Sequence, residues 1–314
     1  MMFFIAGGTG FIGKHLVNAF AAKAYRVRCL VRTEDKARAC KSLGFEAGIG
    51  DITDRESLKG KLDGCDTVVH LVGIIEEKGS MTFEKVHVEG TRNLVDEAQK
   101  AGVKHIFYQS ALGASATSWA KYYKTKAEAE EIVKASGMPY TIFRPSLVVG
   151  DGDGFTEKLK ELVHMGPFVP VPGNGNAKLQ PIYVEDWIKC FMTLFFDNPP
   201  SPPFSKGGMG GIYEFGGPEH LTYNEIVLQL MEALGINKPI IHIPLKIIKL
   251  SLPFYGISKG IGSLLGKKVP SVTAEQLSLL QLDNICDKDS VEKSFGFVPV
   301  KYKDALKLFI KERR

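Results

Sequence analysis

Ala6-Gly7-Gly8-Thr9-Gly10-Phe11-Ile12-Gly13 follows the apolar run Phe3–Ile5 and opens a segment of helical spacing. Its glycines fit G-x-G-x-x-G from Gly8 and G-x-x-G-x-x-G from Gly7. Glycine lets backbone N–H groups approach a diphosphate that a Cβ atom would block, and the N-terminus of the following helix adds a favourable dipole for the anion. At the first strand–helix junction, this stretch predicts a dinucleotide site built by Gly7, Thr9, Gly10, Phe11, Ile12 and Gly13. The alternative is a tight glycine turn without a ligand.

Outward from this turn, the first 150 residues alternate short apolar runs with segments of helical spacing. Apolar strands separated by helices of about ten residues or more pair in parallel through right-handed crossovers. The pattern predicts an α/β fold, a Rossmann-type doubly wound parallel sheet with helices on both faces. The predicted strands are Phe3–Ala6, Arg26–Val31, Phe45–Ile49, Thr67–Val72, His105–Gln109 and Tyr140–Phe143, and the predicted helices are Phe11–Ala22, Lys36–Leu43, Arg55–Leu62, Phe83–Ala101 and Tyr122–Ser136. Thr53–Glu56 and Thr222–Glu225 have the spacing of capping boxes.

The chain has 314 residues, of which 44% are hydrophobic and 24% charged. This composition is globular and excludes a disordered or fibrous protein, and the length suggests about two domains. We predict a dinucleotide-binding domain over residues 1–150 and 178–235, and a smaller C-terminal substrate lobe over residues 151–177 and 236–314. Residues 198–211 hold four prolines and four glycines and are predicted to form a flexible insertion.

The net charge of +5 is concentrated in one part of the chain. Between Glu232 and Glu275 there is no acidic residue, whereas six lysines are present: Lys238, Lys246, Lys249, Lys259, Lys267 and Lys268. The segment 239–268 mixes such lysines with apolar residues, which predicts either a small-lobe core with lysines on its rim or a surface that docks on a membrane or a protein complex. The remainder is nearly neutral, so we expect no nucleic-acid partner.

Five scattered cysteines without a CxxC pair indicate a reducing compartment rather than a disulfide framework. The seven histidines lack metal-ligand spacing, so no metal site is predicted. We expect neither a signal peptide nor a membrane-spanning helix, because no basic leader and no apolar run of about 18 residues is present. These features predict a cytoplasmic protein, with peripheral contact at the inner face of the membrane as the alternative.

The end of the second strand indicates which dinucleotide binds. An acidic residue there would bind the ribose 2′-hydroxyl, but Arg32 and Thr33 follow the strand, and Glu34 and Asp35 come later. A guanidinium suits a 2′-phosphate through bidentate charge-assisted hydrogen bonds. The sequence therefore favours NADP(H), with NAD(H) as the second choice. The alternative for Arg32 is a solvated loop residue.

Tyr122 and Lys126 lie four residues apart and share a helical face. A phenol titrates near pH 10, and a nearby ammonium favours the phenolate, which brings its pKa toward the working range. Ser110 follows the strand His105–Gln109 at the edge where such sheets bind ligands, and its hydroxyl can orient a substrate carbonyl. We predict that Ser110, Tyr122 and Lys126 are catalytic. The alternative is a cap and a surface helix.

Together these motifs resemble a short-chain dehydrogenase/reductase of the extended or atypical kind, similar to NAD-dependent epimerases/dehydratases. The landmarks are GGTGFIG at 7–13, Gly50-Asp51, His70–Gly73, Val88–Asn93, Ser110, Tyr122-x-x-x-Lys126, Arg144–Ser146, Ile182–Asp186 and Tyr213–Gly217. Within that family, Leu30-Val31-Arg32, the gap of twelve between Ser110 and Tyr122, and Tyr-x-x-Thr-Lys most resemble the branch related to the nucleotide-binding accessory subunit of respiratory complex I.

The resemblance implies a role for each matching residue. It implies that Gly7, Gly10 and Gly13 hold the diphosphate, that Arg32 holds the adenosine phosphate, and that Asp51 and Ile52 flank the adenine. At the other end of the cofactor it implies that Val72 and Gly73 line the cofactor ribose and that Lys126 holds the nicotinamide ribose. Pro145 is a further expected cofactor contact, and Tyr122 is the implied acid–base residue. Two departures argue against sugar-nucleotide epimerisation. His87 replaces a usual Asn, and the segment after Ser110 is short.

The leading hypothesis is an NADP(H)-dependent oxidoreductase with Tyr122 as its proton-transfer group. It would move a hydride between nicotinamide C4 and the carbon of a small carbonyl, an alcohol or a nucleotide-linked substrate. The alternative is a non-catalytic NADP(H)-binding accessory or redox-sensing protein that docks on a membrane complex through residues 239–268.

Overall fold

The main sheet has seven parallel strands in the order β11-β6-β5-β4-β1-β2-β3. The structure is a computed structural model that describes residues 1–196, 210–248 and 273–310. The strands are β1 (Met2–Ala6), β2 (Arg26–Val31), β3 (Glu46–Ile49), β4 (Thr67–His70), β5 (His105–Gln109), β6 (Tyr140–Pro145) and β11 (Gly210–Phe215). The chain reverses its direction of winding between β1 and β4, as in a Rossmann-type doubly wound sheet, which confirms the predicted fold class.

Each face of this sheet is covered by helices. One face packs against α1 (Phe11–Ala22), α2 (Glu34–Ser42), α7 (Val184–Phe196) and α10 (Ser290–Phe295), and the other against α3 (Arg55–Leu58), α4 (Gly90–Lys100) and α5 (Lys121–Ala135). In β1, Phe3 and Ile5 lie in the first core, whereas Phe4 and Ala6 lie in the second. A strand that is buried on both faces must be apolar throughout, which is why the parallel sheet could be predicted from sequence.

A third core lies outside the main sheet. It takes in α6 (Gly154–His164), α8 (Tyr223–Ala233), α11 (Tyr302–Phe309) and the parallel pair β8 (Val169–Pro172) and β13 (Ile240–Ile243). The remaining elements are β7 (Val148–Val149), β9 (Lys178–Leu179), β10 (Ile182–Tyr183), β12 (Leu221–Thr222) and α9 (Ala274–Leu279). Because α10 returns to the main sheet, the two lobes interleave along the chain, and the predicted domain boundaries stay a prediction.

Most predicted strands and helices differ from the structure by one or two residues at an end, and two helices differ further. Helix α3 ends at Leu58, because the backbone leaves the helix at Lys59 and Gly60 adopts a positive φ of 68°. Asp54 caps α3 in place of the predicted Thr53, whose hydroxyl donates to Asp51. The predicted helix Phe83–Ala101 starts with a π-helical turn, Glu84–Glu89, which runs into α4. The capping box Thr222–Glu225 is confirmed.

The sequence also predicted a flexible insertion over residues 198–211 and a basic, apolar segment over residues 239–268. Gly210 and Gly211 begin β11, so the predicted insertion 198–211 is wrong at its last two residues, and residues 198–209 lie outside the described chain. The part of the basic segment from 249 to 268 also lies outside it. Across residues 1–196, 210–248 and 273–310, no helix has the length and apolar character needed to cross a bilayer.

Candidate functional site

The glycines before α1 are required by backbone contacts. Gly7 has a φ of +94°, and a Cβ atom on it would lie 3.0 Å from the carbonyl carbon of Leu71. The amide of Gly10 donates to the Gly7 carbonyl at 2.9 Å, and α1 begins at the next residue. A Cβ atom on Gly13 would lie 2.1 Å from that carbonyl oxygen. The turn is therefore closed against side chains.

The outer surface of this turn can receive an anion. Gly10 is exposed, and Thr9, Phe11 and Ile12 are half-buried around it. The first turn of α1 contains no acidic residue, and no side chain of the described residues caps its N-terminus. Unsatisfied N–H groups and the helix dipole make such an end an anion site.

Arg32 lies beyond β2 and is only loosely paired. Its side chain is 63% exposed, with Nη1 4.0 Å from Oδ2 of Asp51. Asp51 is itself fixed, because its Oδ1 accepts hydrogen bonds from the amide and the hydroxyl of Thr53, both at 2.9 Å. An exposed pair at this distance contributes little to stability, so Arg32 can turn to a ligand phosphate at small cost. The neighbouring Ile52 is buried.

The loop after β4 is held by two buried histidines. The amide of Val72 donates to Nδ1 of His70 at 3.3 Å, and the amide of Ile74 donates to Nε2 of His87 at 3.1 Å. Since these ring nitrogens accept, the opposite nitrogens carry the protons. Accordingly, His70 Nε2 donates to Thr91 and His87 Nδ1 donates to Thr125, each at 3.0 Å. Two neutral imidazoles thus fix the backbone around Gly73.

Burial keeps both histidines neutral. Desolvation, with the charge of Lys126 as a smaller cause, lowers the pKa of His70 to about 3 and the pKa of His87 to about 2. The π-helical turn Glu84–Glu89 carries His87 into this position. Such turns are frequent at functional sites. His87, at a position where the resemblance implies Asn, therefore lies in a segment of irregular helix geometry.

Acid should destabilise the protein through these histidines. Below pH 6.5 these two histidines are protonated in the unfolded chain, whereas in the folded chain they stay neutral down to about pH 3 for His70 and about pH 2 for His87. The free energy of unfolding therefore falls as the pH falls through this window. Each histidine contributes a slope of up to about 1.4 kcal/mol per pH unit. Urea unfolding of His87→Asn between pH 7 and pH 5 should show a slope shallower by about that amount. An unchanged slope would mean that His87 is already charged in the native state.

Lys126 is buried beside the loop that the histidines hold. Its Nζ donates to the Gln109 carbonyl at 2.5 Å and lies 4.4 Å from the centroid of the Tyr108 ring. A Cβ atom on Gly73 would be 3.8 Å from this nitrogen. Desolvation lowers the pKa of Lys126 to about 7, although Glu130 opposes the shift. The structure thus brings Lys126 close to Gly73, two of the three residues expected near the cofactor's riboses.

Tyr122 lies one turn before Lys126 on α5. Its ring centroid is 5.6 Å from that of His87 and 5.7 Å from that of Phe83, both edge-on. The phenol makes no hydrogen bond within the described chain, and the side chain lines a cavity of about 640 Å³. Burial raises the pKa of Tyr122, with the charge of Tyr123 as a smaller cause. This direction is opposite to the predicted effect of Lys126, because desolvation of the phenol dominates.

Ser110 does not present a free hydroxyl. Its Oγ donates to the carboxylate of Glu130, which is fully buried. Arg144 neutralises this carboxylate through Nε at 2.8 Å and Nη2 at 2.5 Å, and a third bond joins Arg144 to Glu214 at 2.8 Å. Pro145 ends β6 beside this network. The network was missed from the sequence, where an acid on a helix and an arginine on a strand give no signal of their pairing.

A distant helix also contributes to the site. Glu275 of α9 accepts a hydrogen bond from the Tyr122 amide at 3.0 Å, and Gln276 donates to the Ile75 carbonyl at 2.8 Å. Asn284 donates to the Tyr123 hydroxyl at 3.2 Å, so this hydroxyl, unlike that of Tyr122, has a hydrogen-bond partner. No sequence motif marks these residues, because their contacts depend on how the C-terminal segment returns to α5.

A doubly wound sheet with a glycine turn shaped for a diphosphate is typical of dinucleotide-binding proteins. A family model described as NAD(P)H-binding matches residues 7–162. The 3 beta-hydroxysteroid dehydrogenase/Delta 5→4-isomerase of Mycobacterium tuberculosis is 30% identical over 264 residues, which cover 75% of this chain and 70% of that enzyme. The chain therefore belongs to the NAD(P)-binding short-chain dehydrogenase/reductase family, in its extended or atypical group.

Two further comparisons place the chain within this family. The mitochondrial NADH dehydrogenase [ubiquinone] 1 alpha subcomplex subunit 9 of Arabidopsis thaliana is 30% identical over 228 residues. This match covers 71% of this chain but only 55% of the plant subunit, so the chain spans about half of that subunit's length. A solved nucleoside-diphosphate-sugar epimerase from Staphylococcus aureus has a TM-score of 0.73 at 21% identity, covering 98% of this chain and 100% of that one. At that identity the likeness shows the fold alone.

Proposed function

We propose that this protein is an NADP(H)-dependent oxidoreductase that interconverts a carbonyl and an alcohol, with Tyr122 as the acid–base residue. The observation that carries the proposal is a phenol without a hydrogen-bond partner in the described chain, on a cavity wall, one helical turn from the buried Lys126. Family membership supports a nicotinamide cofactor. The mycobacterial relative, named as a hydroxysteroid dehydrogenase, supports alcohol–carbonyl chemistry.

The bound nicotinamide supplies or accepts the hydride, and this chain's residues do the rest. In the proposal the amides of Gly7–Gly13 bind the diphosphate, and Asp51 with Ile52 flanks the adenine. Val72, Gly73, Pro145 and Lys126 hold the nicotinamide end. Because the pKa of Tyr122 is raised, its phenol is protonated at neutral pH and holds the proton that the proposed reduction transfers to a carbonyl oxygen.

Lys126 and Ser110 have supporting roles in this scheme. With a pKa of about 7, Lys126 can take up or release a proton at neutral pH and so replace the proton that Tyr122 gives away. Ser110 donates to Glu130, so we assign it to positioning the end of β5 rather than to the substrate.

NADP(H) preference is tested by Arg32→Asp. Loss of charge-assisted bonds to a 2′-phosphate, together with a new like charge, should weaken NADPH binding by about ten- to a hundredfold and leave NADH binding within about threefold. Isothermal titration of both dinucleotides measures this difference. The matched control is Arg38→Asp on α2. Arg38 is exposed and is not among the residues expected to contact the cofactor, so both affinities should stay unchanged. Equal losses for NADPH and NADH in Arg32→Asp would refute the 2′-phosphate role.

A second candidate is a non-catalytic NADP(H)-binding accessory protein of a membrane complex. The likeness to the plant complex I subunit favours it. Flotation with anionic vesicles and NADPH oxidation on a broad carbonyl panel separate the two functions. Vesicle binding without oxidation of NADPH would support the accessory role and refute the oxidoreductase. Oxidation of NADPH with any of the carbonyl compounds would refute the non-catalytic role.

A further inference from the structure

The cavity beside Tyr122 is walled by hydrocarbon. It lies among α6, β8, β13 and α9, and its volume of about 640 Å³ is within the range of roughly 300–1,000 Å³ typical of pockets for small organic ligands. Of the twenty described residues that line it, sixteen are apolar or glycine, among them Leu159, Leu162, Val171, Ile243 and Leu277. Of the described lining residues, Lys158 alone carries a formal charge.

The described part of this wall offers few hydrogen-bond partners for a sugar nucleotide. A buried phosphate or a sugar with several hydroxyls needs a matching set of donors and acceptors, because an unpaired polar group in an apolar site is costly. Among the described lining residues the only side-chain amide is that of Gln276, and it donates to the backbone carbonyl of Ile75. No arginine, asparagine, serine or threonine is among the described lining residues. The cavity therefore selects against the nucleotide-linked substrates that the sequence left open.

The cavity also has an apolar rim. Ile75, Met165 and Ile247 line it and are 58%, 52% and 59% exposed. Single exposed apolar side chains are ordinary on protein surfaces, but these three all line one cavity and so offer apolar contacts where it meets solvent. A hydrocarbon longer than the cavity would still contact apolar groups where it leaves.

We propose that the substrate is a neutral lipid-like alcohol or ketone, with its hydrocarbon part in this cavity and its oxygen at the Tyr122 phenol. The oxygen's position rests on the proposed function, whereas the binding of the hydrocarbon does not. The cavity wall supplies apolar area and few polar groups, and Tyr122 supplies the one hydroxyl that is assigned chemistry. Substrate choice is therefore set by hydrocarbon burial.

Binding is measured first without a cofactor. The full chain is loaded with the neutral fluorophore N-phenylnaphthylamine, which is displaced by methyl ketones of increasing length from hexanone to hexadecanone. Each buried methylene should tighten binding by up to about fourfold, until the cavity is filled and the affinity levels off. An affinity that does not depend on chain length, or displacement by UDP-glucose but not by the ketones, would overturn the proposal.

Two matched pairs of variants locate the binding. Leu162→Trp should fill the cavity and weaken hexadecanone binding at least about tenfold, whereas Leu228→Trp, on an exposed residue of α8 outside the wall, should not. Ile75→Glu puts a charge on the rim and carries little folding risk, since Ile75 is exposed; Ile212→Glu on β11 is its control. Unchanged binding in both Leu162→Trp and Ile75→Glu would contradict the assignment.

Turnover then separates this proposal from the proposed function. Ketone binding that depends on chain length, without NADPH oxidation, would uphold the hydrocarbon site and refute the oxidoreductase. NADPH oxidation with KM values that do not fall as the ketone lengthens would uphold the oxidoreductase and refute the hydrocarbon site.

Discussion

The Tyr122→Phe variant is expected to lose turnover by about a hundredfold to ten-thousandfold while it binds NADPH as the native protein does. Phenylalanine keeps the ring that packs edge-on against His87 and Phe83, so the helix and the loop near Gly73 should not move. The hydroxyl removed makes no hydrogen bond within the described residues, so its loss should cost little stability. Only a role in proton transfer would make that hydroxyl matter.

Its matched control is the adjacent tyrosine. Tyr123→Phe removes a hydroxyl that accepts a hydrogen bond from Asn284, so it should lower the free energy of unfolding by about 1 kcal/mol and leave turnover nearly intact. Steady-state rates and NADPH titrations on both variants give the comparison. If Tyr122→Phe keeps native turnover, or if the two variants lose it equally, Tyr122 is not the acid–base residue.

Lys126→Met is expected to abolish turnover and at the same time stabilise the fold. Lowering the pKa of Lys126 from 10.5 to about 7 means that burying this amine costs about 4 kcal/mol near pH 7. Methionine fills similar space without that cost, although it loses the bond to the Gln109 carbonyl. We expect a net gain of about 1–3 kcal/mol in the free energy of unfolding, the usual trade-off between stability and function.

The pH dependence gives this variant a specific signature. Between pH 7 and pH 10 the unfolded chain holds a proton that the folded Lys126 has lost, so native stability rises with pH and the advantage of Lys126→Met shrinks. Lys124→Met, at an exposed position on the same helix, should show neither effect. Denaturant unfolding at several pH values would contradict the assignment if Lys126→Met were destabilised near pH 7 or if its advantage did not change with pH.

The sheet and the phosphate turn could be predicted because each depends on local constraints. Gly7 and Gly13 are glycines for reasons of backbone contact, and the strand Met2–Ala6 is apolar because both its faces are covered. Such constraints leave a pattern in a short stretch of sequence. The positions of Tyr122 and Lys126 on one helix followed from their spacing in the same way.

Features that depend on tertiary packing left no such pattern. Ser110 was expected to face a substrate but is bound by Glu130, a contact made between a strand end and a helix. The raised pKa of Tyr122 follows from burial that no spacing reveals. Glu275 reaches the Tyr122 amide from α9, more than a hundred residues further along the chain. The apolar cavity is assembled from six elements and could not be predicted from any one of them.

The central claim is that the turn at Gly7–Gly13 binds the diphosphate of a nicotinamide dinucleotide. Isothermal titration calorimetry of the full chain, stripped of nucleotide and titrated with NADPH and then NADH, tests it most directly. We predict a saturable heat with a stoichiometry of one dinucleotide per chain and, from the proposed role of Arg32, tighter binding of NADPH than of NADH. No heat with either dinucleotide, from protein shown by circular dichroism to be folded, would contradict it.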